Sequence, residues 1–147
     1  MTQPFRYRLR VRYGECDAQK VVFNARYADY ADLAMTEFMR ALGRDYGALL
    51  ERGLDNQVVK LTLEWQAPAR FDDVIESRIR TLKVGNTSFA LEQNIVRVAD
   101  DTPLCRVEAV YVMMTTEPFE KTRVPDDLRA SLETGAPGVL IDHSGGN

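Results

Sequence analysis

The sequence predicts an α+β domain in which one long, largely buried helix packs on one face of a five-stranded antiparallel sheet. Three observations lead there. Residues 5–13 alternate apolar and charged side chains, the following long segment switches to helical spacing, and four more alternating segments follow with short, turn-rich links. The sheet face away from the helix must then be solvated or paired with another subunit.

Each element has its own signature. Phe5, Tyr7, Leu9, Val11 and Tyr13 point one way while Arg6, Arg8, Arg10 and Arg12 point the other, the period-two pattern of a half-buried strand. Residues 14–22 have no period and read as a loop. From about Ala25, a stripe of Tyr27, Tyr30, Ala31, Ala34, Phe38, Ala41 and Leu42 predicts a helix, with Arg26, Asp29, Glu37 and Arg40 away from it. Asn24 is the candidate N-cap and Gly43 the C-terminal stop. Asp45 to Arg52 reads as a second helical piece ending at Gly53. A strand with Val59, Leu61, Leu63 and Trp65 on one face is broken by Ala67-Pro68-Ala69-Arg70, because proline donates no ladder bond.

The next strand runs from Val74 to Val84, where Val84-Gly85-Asn86-Thr87 predicts a two-residue Gly-Asn hairpin. The strand from Ser88 to Ala99 ends at the turn Asp100-Asp101-Thr102-Pro103. Leu104 to Thr116 places Cys105, Val107, Ala109, Tyr111 and Met113 on one face. Val110, Val112 and Met114 are apolar on the other, as expected in mid-sheet or in an interface. Pro125-Asp126-Asp127 opens a short helix to about Glu133, with acidic residues at its favourable end. Residues 1–133 form one domain in this reading, and the glycine-containing residues 134–147 a loose tail.

Composition narrows the chemistry. A chain of 147 residues with 45% hydrophobic and 28% charged residues fits one globular domain, able to bury roughly 68–70% of its unfolded surface. Nineteen basic against 22 acidic residues give a net charge of −3, which disfavours nucleic acid as a partner. The basic residues concentrate at the start, where Arg6, Arg8, Arg10, Arg12 and Lys20 face only Glu15 and Asp17 within residues 1–20. This arginine comb reads as a solvated strand face, with phosphate or subunit binding as the alternative. Cys16 and Cys105 form no C-x-x-C pair. The N-terminal residues lack the apolar core of a signal peptide, and no run approaches the ~18 apolar residues of a membrane span, so a reduced, cytoplasmic protein off the membrane is expected.

The only histidine, His143, lies in the expected loose tail. Ser-His-Asp and Cys-His catalysis and a zinc site therefore lack their usual ligands. No G-x-S-x-G elbow, phosphate-binding loop or dinucleotide fingerprint occurs. Carboxylates, tyrosines and backbone amides remain.

One stretch carries more. Tyr13-Gly14-Glu15-Cys16-Asp17-Ala18-Gln19-Lys20-Val21-Val22-Phe23-Asn24-Ala25-Arg26-Tyr27 resembles the hotdog-fold acyl-CoA thioesterases of the 4-hydroxybenzoyl-CoA thioesterase type, whose pattern is roughly D-x-x-G/Q-x-V-aromatic-x-x-x-Y at the start of the central helix. Ala67-Pro68-Ala69-Arg70-Phe71-Asp72-Asp73 is similar to a second turn common in the same group, and the likeness covers about residues 5–118. The resemblance implies a hotdog fold, hydrolysis of an acyl-CoA thioester without metal or bound cofactor, and a dimer whose sheets join, pairing into a homotetramer with active sites between subunits.

By position, Asp17 is then the catalytic carboxylate, acting as base or nucleophile, and the backbone amide of Asn24 is the oxyanion donor. The chemistry is sound on its own terms: thioester hydrolysis needs an activated nucleophile, and free amides at a helix start can polarise a carbonyl. On the residues alone, Asp17 also fits a loop carboxylate bonded to its own backbone. Lys20, standing where Gly or Gln is usual, is a candidate cation for the CoA phosphates. Val22 is a candidate for substrate binding and Tyr27 for the acyl pocket, Tyr27 equally for plain core, and Thr87 and Ser88 are candidates to reach the site from a partner subunit. Three rival readings stay open: a hotdog dehydratase, disfavoured by the missing active-site histidine, a non-catalytic acyl-CoA-binding or regulatory module, and an interaction protein using the arginine face.

Overall fold

The computed structural model describes residues 3–146. The elements are β1 (Phe5–Arg10), α1 (Arg26–Ala41), α2 (Tyr46–Glu51), β2 (Leu54–Trp65), β3 (Val74–Val84), β4 (Ser88–Arg97), β5 (Pro103–Thr116), β6 (Phe119–Lys121), α3 (Asp126–Thr134) and β7 (Leu140–Asp142). The sheet order is β2-β5-β4-β3-β1-β7, with β6 added on β5. Neighbours are antiparallel except β7, which runs parallel to β1.

The sheet thus has seven strands, which corrects the expected five. Each added strand is three residues long, too short to show a period in sequence. β7 also falls in the segment expected to be a loose tail. There Arg6 N–H donates to Val139 C=O and His143 N–H to Arg8 C=O, both at 2.9 Å. His143 itself sits 3.1 Å from the Tyr7 hydroxyl through Nδ1 and stacks edge-on to that ring.

Helix α1 lies on the inner sheet face. Tyr27, Tyr30, Ala31, Ala34, Met35, Phe38 and Met39 are its buried residues, and they divide between two packed clusters. One gathers Phe38 and Met39 with Phe5, Leu91, Met113 and Leu128. The other joins Tyr27 and Tyr30 to Val11, Ile75, Ile95 and Val107. The outer face carries ion pairs instead: Glu76 is bound by Arg8 and Arg78 at 2.8 and 2.7 Å, and Arg106 reaches Glu64, Glu92 and Glu108. Arg8 and Arg10 of the comb are thereby used within the chain, Arg10 on Asp72 and the Ser144 carbonyl.

Boundaries differ where tertiary bonds intervene. β1 stops at Arg10, because Val11 N–H turns aside to the Asp73 carbonyl and residues Tyr13–Glu15 curl into a 3-10 turn. The N-cap of α1 is Ala25, not Asn24. The β3–β4 link is wider than two residues: Val84 pairs with Phe89, and Gly85 N–H closes on the Ser88 carbonyl at 2.7 Å. β2 begins five residues before Val59, with an irregularity between Val58 and Lys60. No helix among the described residues is long and apolar enough to cross a membrane.

Candidate active site

The loop between β1 and α1 closes on itself before the helix begins. Cys16 pairs with Val22 in an isolated bridge, Asp17 N–H donates to Val21 C=O at 2.9 Å, and Lys20 N–H returns to Asp17 C=O at 2.9 Å. Lys20 closes this turn with φ of 65°, the left-handed region that glycine fills without penalty.

Asp17 is partly exposed. Its Oδ1 accepts the Gln19 N–H at 2.8 Å, the short-range bond expected of a loop aspartate. Among the described residues nothing else binds the carboxylate, so Oδ2 is open. Asp17 is therefore both a turn former and a carboxylate with one free oxygen.

Across the bridge, Val22 N–H donates to Ala69 C=O at 2.8 Å and Phe23 N–H to Glu15 C=O at 2.9 Å. Asn24 follows. Its carbonyl accepts the Trp65 indole N–H at 3.1 Å, while among the described residues no group accepts its own N–H. Val22, Asn24, Tyr27, Trp65, Gln66, Ala67 and Pro68 line an open cleft of about 470 Å³. The structure thus brings Val22, Asn24 and Tyr27 to one cleft, and sets Asp17 and Lys20 on the adjoining loop rather than in its lining.

Tyr27 is buried, and its hydroxyl accepts the Ala69 N–H at 3.1 Å, so it packs in the core as well as facing the cleft. Burial raises its pKa, and Tyr27 is held as the neutral phenol. Ala69 belongs to the turn singled out in the sequence. Asp73 organises that turn by accepting the Arg70 N–H at 2.9 Å and the Arg97 guanidinium at 3.2 Å.

Thr87 and Ser88 lie elsewhere. Ser88 starts β4 opposite Val112, whereas the cleft lies at the other end, where Ile95 pairs with Cys105 and Cys105 with Trp65. Ile95 is seven residues along β4 from Ser88, which at about 3.4 Å per residue is roughly 24 Å. Within one chain these two residues do not meet Asp17.

Two residues beneath the loop carry no sequence signal. Glu15 is buried, and its carboxylate accepts the Arg12 N–H at 2.8 Å, the Tyr30 hydroxyl at 2.9 Å and the Arg12 guanidinium at 2.9 and 3.2 Å. Burial alone would raise its pKa, but these donors together hold it below the ordinary glutamate value. Burial, reinforced by that carboxylate, raises the Tyr30 hydroxyl far above the ordinary tyrosine range. Tyr30 reads in sequence as one more apolar stripe residue, and only the fold reveals its buried acceptor.

Comparison with known proteins gives the family and the fold. Residues 11–132 match the model of the thioesterase-like superfamily. The chain belongs to the thioesterase-like superfamily. It is 31% identical over 132 residues to the acyl-CoA thioester hydrolase YbgC of Escherichia coli O6:H1, covering 90% of this chain and 98% of that one. A hypothetical protein from Thermus thermophilus superposes with a TM-score of 0.81 at 29% identity, covering 88% of this chain and 97% of the other. A 1,4-dihydroxy-2-naphthoyl-CoA thioesterase from Synechocystis gives 0.80 at 16% identity, over 87% and 94%, and shares the fold. The superfamily member described here has the hotdog thioesterase fold, with its sheet wrapped on α1.

Proposed function

We propose that this superfamily member hydrolyses acyl-CoA thioesters, with Asp17 as base or nucleophile and the Asn24 N–H as donor to the developing oxyanion. The observation that carries the reading is an open carboxylate oxygen on a loop bridged to a free amide one residue before the N-cap of α1. In the base route, water attacks the thioester carbonyl and Asp17 takes its proton. Charge gathers on the carbonyl oxygen beside the Asn24 N–H, the C–S bond breaks, and CoA leaves as the thiolate. In the nucleophile route, an Asp17 oxygen attacks the carbonyl carbon, and the C–S bond breaks to release the CoA thiolate and leave a mixed anhydride. Water then cleaves that anhydride to the free acid and the Asp17 carboxylate. Lys20 lies at the loop surface, where a cation would meet the CoA phosphates, and Val22 and Tyr27 border the acyl group.

Val58, Val59, Leu61 and Trp65 are exposed on the edge strand β2, and a second copy joined there would cover them. Antiparallel joining would carry the partner's Thr87 and Ser88 end toward the Asp17 end, forming a dimer with sites between subunits that pairs into a tetramer. The experiment is thiol release from short, long and aromatic acyl-CoAs by wild type and Asp17→Asn. Turnover on some members, lowered about 10²- to 10⁴-fold in the variant, is expected. Equal rates in both proteins would remove Asp17 from the mechanism. Binding without turnover on any member would favour the acyl-CoA-binding module. Transfer of ¹⁸O from labelled water into Asp17 during one turnover marks the nucleophile route.

A further inference from the structure

Glu15 joins both halves of the proposed site. Its carboxylate is fixed to α1 by the Tyr30 hydroxyl at 2.9 Å, and its backbone carbonyl is fixed to the Phe23 N–H at 2.9 Å. Asp17 is two residues beyond the first anchor, and Asn24 is one residue beyond the second. Glu15 also closes its own turn by accepting the Arg12 N–H at 2.8 Å, as in a capping box. The full length of glutamate brings the carboxylate to the helix as well. The ring of Tyr30 packs edge-on to Tyr27 with centroids 5.8 Å apart, and Tyr27 holds the opposite side of the loop through Ala69 and Val22. Two neighbouring tyrosines of one helix thus grip the loop from both sides.

The geometry points to the Glu15–Tyr30 hydrogen bond as the strut that sets the Asp17 carboxylate against the Asn24 amide, making Glu15 and Tyr30 positioning residues for hydrolysis. This rests on the reading of Asp17 as the reacting carboxylate. Neither side chain touches the substrate; they act by holding two reacting groups in register, where a displacement of about 1 Å costs as much as 100-fold in rate.

The test measures kcat, KM and Tm of the full chain on the acyl-CoA that wild type turns over fastest. Tyr30→Phe keeps the ring and removes only the hydroxyl, so kcat is expected to fall about 10- to 100-fold with KM within about twofold. Glu15→Gln keeps an oxygen for Tyr30 and is expected to retain kcat within a few-fold. Glu15→Asp keeps the charge but is shorter by one methylene, and it is expected to lose kcat as Tyr30→Phe does, so the pair of Glu15 variants carries the test if Tyr30→Phe does not fold. Adding Tyr30→Phe to Asp17→Asn is expected to cost little more, because the strut then has nothing left to place. A lowered Tm with unchanged kcat in Tyr30→Phe and Glu15→Asp would overturn the proposal, as would a full additional loss in the Asp17→Asn background. Wild-type turnover by Asp17→Asn would instead overturn the underlying reading, and the strut with it.

Discussion

Glu15 and Asp17 are two carboxylates two residues apart, and their surroundings give them opposite characters. Asp17 leaves Oδ2 open at a partly exposed turn, whereas both oxygens of Glu15 are occupied beneath it. The second arrangement has a pH signature. A carboxyl whose pKa is depressed in the fold contributes stability that is fully present above its unfolded value, near 4.3, and is lost as pH falls through the lower folded value. Glu15 is such a group. Wild type is therefore expected to melt above Glu15→Gln at pH 7, with the difference in Tm shrinking as the pH falls below about 4.3. Thermal melts of both proteins at pH 7, 5, 4 and 3.5 check this, and a gap that widens on acidification would contradict it.

At the scale of elements, Gln93 shows what periodicity reaches and where it stops. Alternation places β3 at Val74–Val84 and starts β4 at Ser88, since long strands repeat their in-and-out pattern several times. The same alternation puts Gln93 inward beside Leu91 and Ile95, an apparent error in a core strand. The fold explains it: Gln93 accepts the Ser77 hydroxyl at 2.7 Å and donates to the Ala31 carbonyl of α1 at 2.8 Å. Gln93→Leu strands the buried Ser77 hydroxyl and is expected to cost about 2 kcal/mol, or roughly 4–8 °C in Tm for a chain of this size. Gln93→Leu with Ser77→Ala removes both partners and is expected to recover part of that loss, as chemical denaturation would show. Glu15–Tyr30 is illegible for the same reason, since partners 15 residues apart meet only through the loop's path. The Asp17–Asn24 loop is legible because its residues are contiguous, while β6 and β7 exist only because a strand edge is already there to receive them.

Over the whole molecule, four exposed apolar side chains follow one strand, β2. Val58, Leu61 and Trp65 pair with Tyr111, Ala109 and Cys105 of β5, all inward-facing, so they continue the inner sheet face beyond α1. They are nonetheless 52%, 41% and 52% exposed. Val59, 59% exposed, has no partner on β5, and the outer edge of β2 has no neighbouring strand among the described residues. An unpaired edge bordered by valine, leucine and tryptophan is an association surface unless charge or proline blocks it. Val59→Asp tests this without touching the ladder to β5: a symmetric seam would bring the new carboxylates of two copies together and repel them. Wild type is expected to sediment at a multiple of the 16.7 kDa chain, and Val59→Asp at the chain mass with its far-UV circular dichroism retained. If Thr87 and Ser88 act across the seam, turnover must fall with the association. The concentration dependence of rate then separates the two cases, because dilution of wild type should lower its specific activity only where the site needs both copies. A wild type that is monomeric and fully active would place the whole site in one chain and leave the β2 shelf to another role.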